Sequence, residues 1–128
     1  MSHQFPVTVY YEDTDMGGVV YHANYLRFIE RARSDYVRRL GVDQNEMRDK
    51  GIVWVVTRIE ADYLAPARFE DELIVETQPE KMTSARLMMS QVVRRAGQEL
   101  FRAKVTAVCM DMYSGKPVRL PAEVRASL

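Results

Sequence analysis

Asp15 stands two residues before a glycine pair, Gly17-Gly18, and seven before His22, in a stretch reading YYEDTDMGGVVYHANYLRFIERAR over residues 10–33. A carboxylate at a bend close to a helix start meets backbone N–H groups that the helix itself leaves unbonded. Those groups and the positive end of the helix dipole favour an ionised carboxylate and a developing oxyanion alike. An ester or thioester carbonyl lodged there finds a donor worth roughly 2.7–4 kcal/mol in the transition state. The carboxylate can activate water, an effect on the order of 10²–10⁴-fold, or attack the carbonyl and form a mixed anhydride. The same residues also carry a purely architectural reading. In that reading Asp13, Thr14 and Asp15 are turn and cap residues, and His22 is a hydrogen-bonding residue at a helix start. Tyr10, Tyr11, Tyr21 and Tyr25 are then packing groups.

Positioning such a carboxylate requires a strand before the bend and a helix after it. Residues 5–11 (FPVTVYY) are β-branched and aromatic, which predicts the strand. The helix begins between Val20 and Asn24. At 100° per residue Tyr25, Phe28, Ile29, Ala32, Tyr36 and Leu40 share one stripe, and Arg27, Glu30, Arg31, Ser34 and Arg38 share the opposite face. Gly41 sits where a left-handed cap is wanted, giving a helix of roughly 17–20 residues. Asp43 and Glu46 have capping-box spacing for a short second helix ending near Gly51.

The period then changes to two. Over residues 52–64 the odd positions Val53, Val55, Thr57, Ile59, Ala61 and Tyr63 read as one face, against Arg58, Glu60 and Asp62. IVWVV is apolar on both faces and is expected to be covered on both. Pro66 ends that strand. Residues 73–78, 85–96 and 99–113 supply three more strands, with a short hairpin at Ala96-Gly97-Gln98. Residues 121–128 form a short helix or tail. Connections this brief exclude parallel crossovers, so the expected fold is α+β: an antiparallel five-stranded sheet with the long helix on one face, in one domain spanning residues 1–128. Bare edge strands predict dimerisation through an edge or a face.

Composition removes several function classes. Lys plus Arg equals Asp plus Glu, at 18 each, so no global field argues for nucleic acid. The lone Cys109 forms no internal disulfide, and its apolar surroundings predict a buried structural thiol. No apolar run reaches the ~18 residues of a bilayer span, and the amino terminus does not read as a signal peptide. The expectation is a soluble cytoplasmic protein. Two histidines and one cysteine, without closely placed carboxylates, offer no zinc site. Neither a GxxxxGK[ST] loop nor a GxSxG elbow occurs. The methionines in or beside strands read as core filling.

TDMGGVVYHANY resembles the signature [TC]-D-x-x-G-[IV]-V-[FY]-x-x-Y through Thr14, Asp15, Gly18, Val19, Val20, Tyr21 and Tyr25. That signature belongs to the 4-hydroxybenzoyl-CoA thioesterase branch of hotdog-fold proteins. The fuller run through ERAR is similar to the acyl-CoA thioesterases of the bacterial Tol–Pal gene cluster, the YbgC type. DYLAPARFEDEL, with Pro66 and Asp71, is similar to that family's segment between its second and third strands. The resemblance implies a hotdog fold, a sheet wrapped around a central helix. It also implies Asp15 as catalytic carboxylate, general base or nucleophile, and the His22 N–H as the carbonyl-polarising group. The His22 ring and Tyr11 are implied as further members of the site. Gly17, Gly18, Tyr21 and Tyr25 complete the implied substrate-binding set. The 4-hydroxybenzoyl-specific enzymes lack a histidine at position 22, which sets this chain apart from them. The family uses no metal or cofactor, and its sites lie between subunits of dimers and tetramers.

The expected reaction is hydrolysis of an acyl-CoA thioester to coenzyme A and a free acid. Candidate cations for the coenzyme A phosphates are Arg58 and Arg86, among a set that also holds Lys81, Arg94 and Arg95. The alternative is a non-catalytic module binding acyl thioesters or acyl carrier protein at the inner membrane face. A hotdog dehydratase is a third reading.

Overall fold

The stripe read along the long helix is the one that is buried. In α1 (Asn24–Arg39) Tyr25, Phe28, Ile29, Ala32 and Tyr36 are shielded, while Arg27, Glu30, Arg31, Ser34 and Arg38 face solvent. The computed structural model describes residues 2–128. At 16 residues the helix is slightly shorter than expected because it starts only at Asn24, and a Schellman turn stops it at the expected Gly41. Gly41 N–H donates to Arg38 O (3.0 Å), Val42 N–H reaches Val37 O (3.3 Å), and Gly41 has φ 98°. The short helix α2 (Gln44–Asp49) starts where Asp43 accepts from the Asn45 and Glu46 N–H groups.

The strands are β1 (His3–Thr8), β2 (Ile52–Tyr63), β3 (Glu72–Met82), β4 (Arg86–Arg95), β5 (Gln98–Asp111) and β6 (Pro117–Val118), followed by α3 (Ala122–Arg125). They form one antiparallel sheet in the order β1-β3-β4-β5-β2, with β6 paired to β5. The sixth strand is a correction to the five expected: two residues are too few to show a period. The β4–β5 hairpin turns through Ala96 and Gly97, both at positive φ, which matches the twist of the flanking strands.

Two strand ends differ from the sequence reading for physical reasons. β1 pairs with β3 only through Thr8, and Val9 continues by exchanging bonds with Glu70 and Asp71. Asp13 then captures the Tyr10 N–H at 2.9 Å and turns the chain into a 3₁₀ turn, Tyr11–Asp13, so Tyr10 and Tyr11 lie outside the strand. β3 runs on through Pro79, which sits at a register shift between Pro79 and Lys81 and beyond the end of β1. There a missing N–H is tolerated.

A third difference changes which residues face the helix. Trp54 and Val56 pair with Cys109 and Ala107, but Arg58 pairs with Thr106 and Ile59 with Val105, so Thr57 is an extra residue in a bulge. Cys109, Ala107, Val105, Ala103 and Phe101 are buried on the helix-facing side. The inner face of β2 is therefore Trp54, Val56, Ile59, Ala61 and Tyr63, while Val53 and Val55 point outward. The uninterrupted odd-numbered face expected from the sequence does not form.

The core lies between α1 and the sheet, with α1 packed over β1, β3 and β4. One polar seam crosses it. Buried Gln91 donates to Ile29 O and Thr77 Oγ1, both at 2.9 Å, and accepts from Arg33 Nη1 at 3.0 Å. Each polar group so paired avoids the ~1–3 kcal/mol cost of burial without a partner. Burial lowers the Arg33 pKa. Cys109 is buried as expected, and burial pushes its thiol up to about 12, which leaves it inert.

Candidate active site

The bend after β1 is a tight hairpin whose conformation the glycines allow. Asp15 N–H donates to Val19 O (2.9 Å), and Gly18 N–H donates to Asp15 O (3.0 Å). Gly18 is at φ 79°, a left-handed conformation that side chains disfavour. Gly17 donates its N–H to Asp15 Oδ1 at 2.9 Å, and a Cβ at Gly17 would press on that same oxygen at 3.2 Å. One carboxylate oxygen is thus tied to its own turn, and the carboxylate is exposed.

Asp15 lines an open groove of about 630 Å³ with Tyr11, Thr14, Met16, Gly18 and Phe69. The Tyr11 ring meets Phe69 edge-on at 6.5 Å across it. Of the residues singled out from the sequence, Asp15, Tyr11 and Gly18 line this groove within one chain. Gly17 supports it from behind. His22 and Tyr21 lie beside the helix start with their rings 4.5 Å apart, and both are exposed. Among the described residues, the N–H groups of His22 and Ala23 donate to no protein acceptor.

Tyr25 is buried beneath the site. It stacks on Phe101 at 4.9 Å and 12°, meets Tyr63 edge-on, and its hydroxyl accepts from Ala67 N–H at 3.1 Å. Burial raises its pKa, against the lowering effect of that hydrogen bond. Tyr63 Oη donates to His22 O at 2.9 Å, so the helix start hangs from an aromatic cluster rooted in β2 and β5.

A second support comes from residues 65–71. Val20 N–H donates to Ala67 O, and Val19 bridges Arg68. That segment is held by Asp71, which accepts from Arg68 N–H (2.8 Å) and Arg95 Nη1 (2.7 Å). Burial alone would raise the Asp71 carboxyl, but the Arg68 N–H and the Arg95 guanidinium outweigh it and hold it low. Asp35, in α1, is likewise held low against burial, by Arg38, His3 and Arg39. Both folded-state values lie below the unfolded ones. The stability they contribute is therefore present above the ordinary carboxylate range and is lost as pH falls through it. Thermal unfolding followed from pH 7 downward should show a melting temperature that drops below about pH 4. The drop should be smaller in Asp71→Asn, and equal drops would count against this account.

Arg58 and Arg86 lie on the outer face of the sheet, paired opposite Thr106 and Val108, and neither lines the groove. Arg58 is bound to Glu60. Arg94 and Arg95 are engaged by Glu76, Glu99 and Asp71. Sequence reasoning missed Phe69 at the groove and the exposed Arg68 next to it in the chain, and it treated Asp13 and Asn24 only as local residues. Phe69 and Arg68 carry no periodic signal, since they lie in an irregular loop. Among the described residues no group of three or more His, Cys, Asp or Glu side chains converges to hold a metal.

A sheet wrapped on one long helix, with an acidic hairpin at that helix's start, defines a hotdog-fold protein. The chain belongs to the Thioesterase-like superfamily, whose family description matches residues 9–128. It is 43% identical over 124 residues to the acyl-CoA thioesterase YbgC of Haemophilus influenzae, covering 96% of this chain and 91% of the relative. It is 40% identical over 124 residues to the acyl-CoA thioester hydrolase YbgC of Escherichia coli O6:H1, covering 96% and 92%. A crystal structure described as a "Probable Thioesterase from Bartonella henselae" superposes with a TM-score of 0.89 at 35% identity, covering 94% of this chain and all of that one.

Proposed function

We propose that this protein hydrolyses acyl-CoA thioesters to coenzyme A and a free carboxylic acid, with Asp15 as the reacting carboxylate. The observation that carries the reading is the position of Asp15. It is exposed in an open groove, on a hairpin bonded to a helix start whose His22 and Ala23 N–H groups are unbonded. The names of the Haemophilus influenzae and Escherichia coli relatives support the substrate class. As general base, Asp15 takes a proton from water while the water oxygen adds to the thioester carbon. The carbonyl oxygen becomes an oxyanion held by the His22 N–H, the C–S bond breaks, and the departing sulfur receives the proton. As nucleophile, Asp15 would form an anhydride that water then opens. The His22 ring and the Tyr11 hydroxyl handle protons and orient substrate, Gly17 and Gly18 shape the turn, and Tyr21 borders the acyl group. Tyr25 acts from beneath, by fixing the helix start. Arg68, exposed beside Phe69, is the candidate partner for the coenzyme A phosphates in place of Arg58 and Arg86, which lie on the outer face of the sheet away from the groove.

The test is a panel of acyl-CoA substrates with detection of the free thiol. Release of thiol and acid in equal amounts is the expected result. Binding without turnover across the panel would instead favour the acyl-thioester or acyl-carrier-protein binding module.

The reading includes a homo-oligomer. β2 is an edge strand, and its inner face leaves Val56, Ile59, Tyr63 and the adjoining Leu64 between 37% and 52% exposed. A second copy paired there satisfies the edge and covers the apolar stripe. Light scattering at micromolar concentration should read at least twice the chain mass, and a monomer would overturn this part. Resemblance to the YbgC type extends the proposal to a single-domain cytoplasmic enzyme working beside the inner membrane near the Tol–Pal proteins, with acyl carrier protein as a second thioester donor. No helix among the described residues is long and apolar enough to cross a membrane.

A further inference from the structure

The loop that carries Asp15 runs from Asp13 to Asn24, and those two residues are bonded to each other. We propose that the Asp13–Asn24 pair is a positioning latch: it closes the loop at its neck and fixes Asp15 relative to the unbonded N–H groups of His22 and Ala23. The inference rests on the reading of Asp15 as the reacting carboxylate.

Both residues are polar and both are buried, at 3% and 4% exposure. Asp13 Oδ1 accepts from Asn24 Nδ2 at 2.9 Å, and its Oδ2 accepts from Tyr10 N–H at 2.9 Å. The Asp13 main-chain oxygen accepts from Tyr21 N–H at 2.9 Å, and Asn24 N–H donates to Tyr21 O at 2.8 Å. Two of these four bonds cross the neck, both accepted by Asp13, and the other two brace Asp13 against Tyr10 and Asn24 against Tyr21 on their own sides. No salt bridge among the described residues reaches Asp13, so a buried carboxylate is held by neutral donors alone.

Burying a charge this way is costly, and a turn or cap does not require it. Asp43 shows the ordinary alternative, capping α2 from an exposed position. What burial adds is stiffness, because bonds to an ionised acceptor are shorter and stronger, and water does not compete for them. Stiffness at this neck matters because Asp15 lies two residues beyond one side of it, and His22 two residues before the other. Neither Asp13 nor Asn24 lines the groove, so both act through Asp15 and the helix start.

The experiment compares Asp13→Ala, Asn24→Ala, Asn24→Asp and the exchange Asp13→Asn/Asn24→Asp in the full chain. In the exchange, the new amide at position 13 still accepts from Tyr10 and now donates to the new carboxylate at position 24, which the helix dipole favours. A displacement of about 1 Å should lower kcat about 100-fold in each single variant, with KM changed less than about threefold. Asn24→Asp, with two carboxylates facing, should be the slowest. The exchange should return kcat to within about tenfold of the native chain.

Single variants that lose melting temperature yet keep native kcat would overturn the latch. So would an exchange that folds normally but is no faster than the singles. Asn24→Ala removes one bond and leaves Asp13 with Tyr10, so it decides the matter if Asp13→Ala does not fold. Asp15→Asn is run alongside. If Asp15→Asn keeps the native rate, the proposed function falls and takes the latch with it. If Asp15→Asn is inert while the latch variants are fully active, the latch alone falls.

Discussion

Asp15→Asn is expected to lower kcat on acyl-CoA by about 10²–10⁴-fold, the range for loss of a positioned acid or base, while leaving the fold intact. The carboxylate is exposed, and its one intramolecular bond, from Gly17 N–H to Oδ1, is retained by the side-chain oxygen of asparagine. Melting temperature should therefore stay close to that of the native chain. KM should move little, since the change removes an interaction made in the transition state. A kinetic assay with thiol detection, paired with a thermal melt, separates these effects. Native-rate turnover by Asp15→Asn would refute the assignment. The native chain distinguishes the two routes: ¹⁸O from labelled water, found in the Asp15 side chain after multiple turnovers, supports the anhydride.

The largest expected stability loss is that of Phe101→Ala, about 3–5 kcal/mol for a fully buried phenylalanine. Phe101 is completely shielded on β5, stacked on Tyr25 at 4.9 Å and edge-on to Tyr63 at 5.0 Å. Those two tyrosines hold the 65–71 segment that supports the Asp15 hairpin, and the helix start, through Ala67 N–H and His22 O. The cavity left by the ring gives both tyrosines room to tilt, so activity should fall even in the fraction that remains folded. Denaturant titration reads the first effect and kcat, measured well below the unfolding midpoint, reads the second. A loss under about 1 kcal/mol would show that the aromatic cluster collapses to refill the space.

Local chemistry with a fixed spacing was readable before any coordinates. The α1 stripe, the Gly41 cap, the Asp43 cap and the glycine turn each follow from residues within a few positions of one another. Features that depend on distant partners were not readable. Thr57 became a bulge because of where β5 sets its register, and Pro79 stays in a strand because β1 ends before reaching it. Tyr11 reads as a strand residue by type, yet the Asp13 carboxylate draws the chain away from the sheet just before it. In the site, Asp15 and its glycines were legible from spacing. Tyr63 was not, since its bond to His22 spans 41 residues. Asp13 could be named as a turn residue, but its burial arises only when Asn24 folds over it.

The bulge at Thr57 brings the even-numbered first half of β2 and its odd-numbered second half onto one face, by absorbing one residue that the ladder does not pair. Side chains alternate along a strand, so pairing Thr57 with Thr106 as an ordinary ladder residue would turn Ile59, Ala61 and Tyr63 outward and bring Arg58, Glu60 and Asp62 against the core. Tyr63 would lose its bond to His22 at the same stroke. Position 57 is exposed and its hydroxyl reaches only Thr106 O, at 3.4 Å, so the identity of the residue matters little. What matters is that it stays outside the ladder: with Thr57 skipped, Val56, Arg58 and Ile59 lie opposite Ala107, Thr106 and Val105 in unbroken order, so a chain lacking it keeps the same inner face and loses only the bend and twist that a bulge adds.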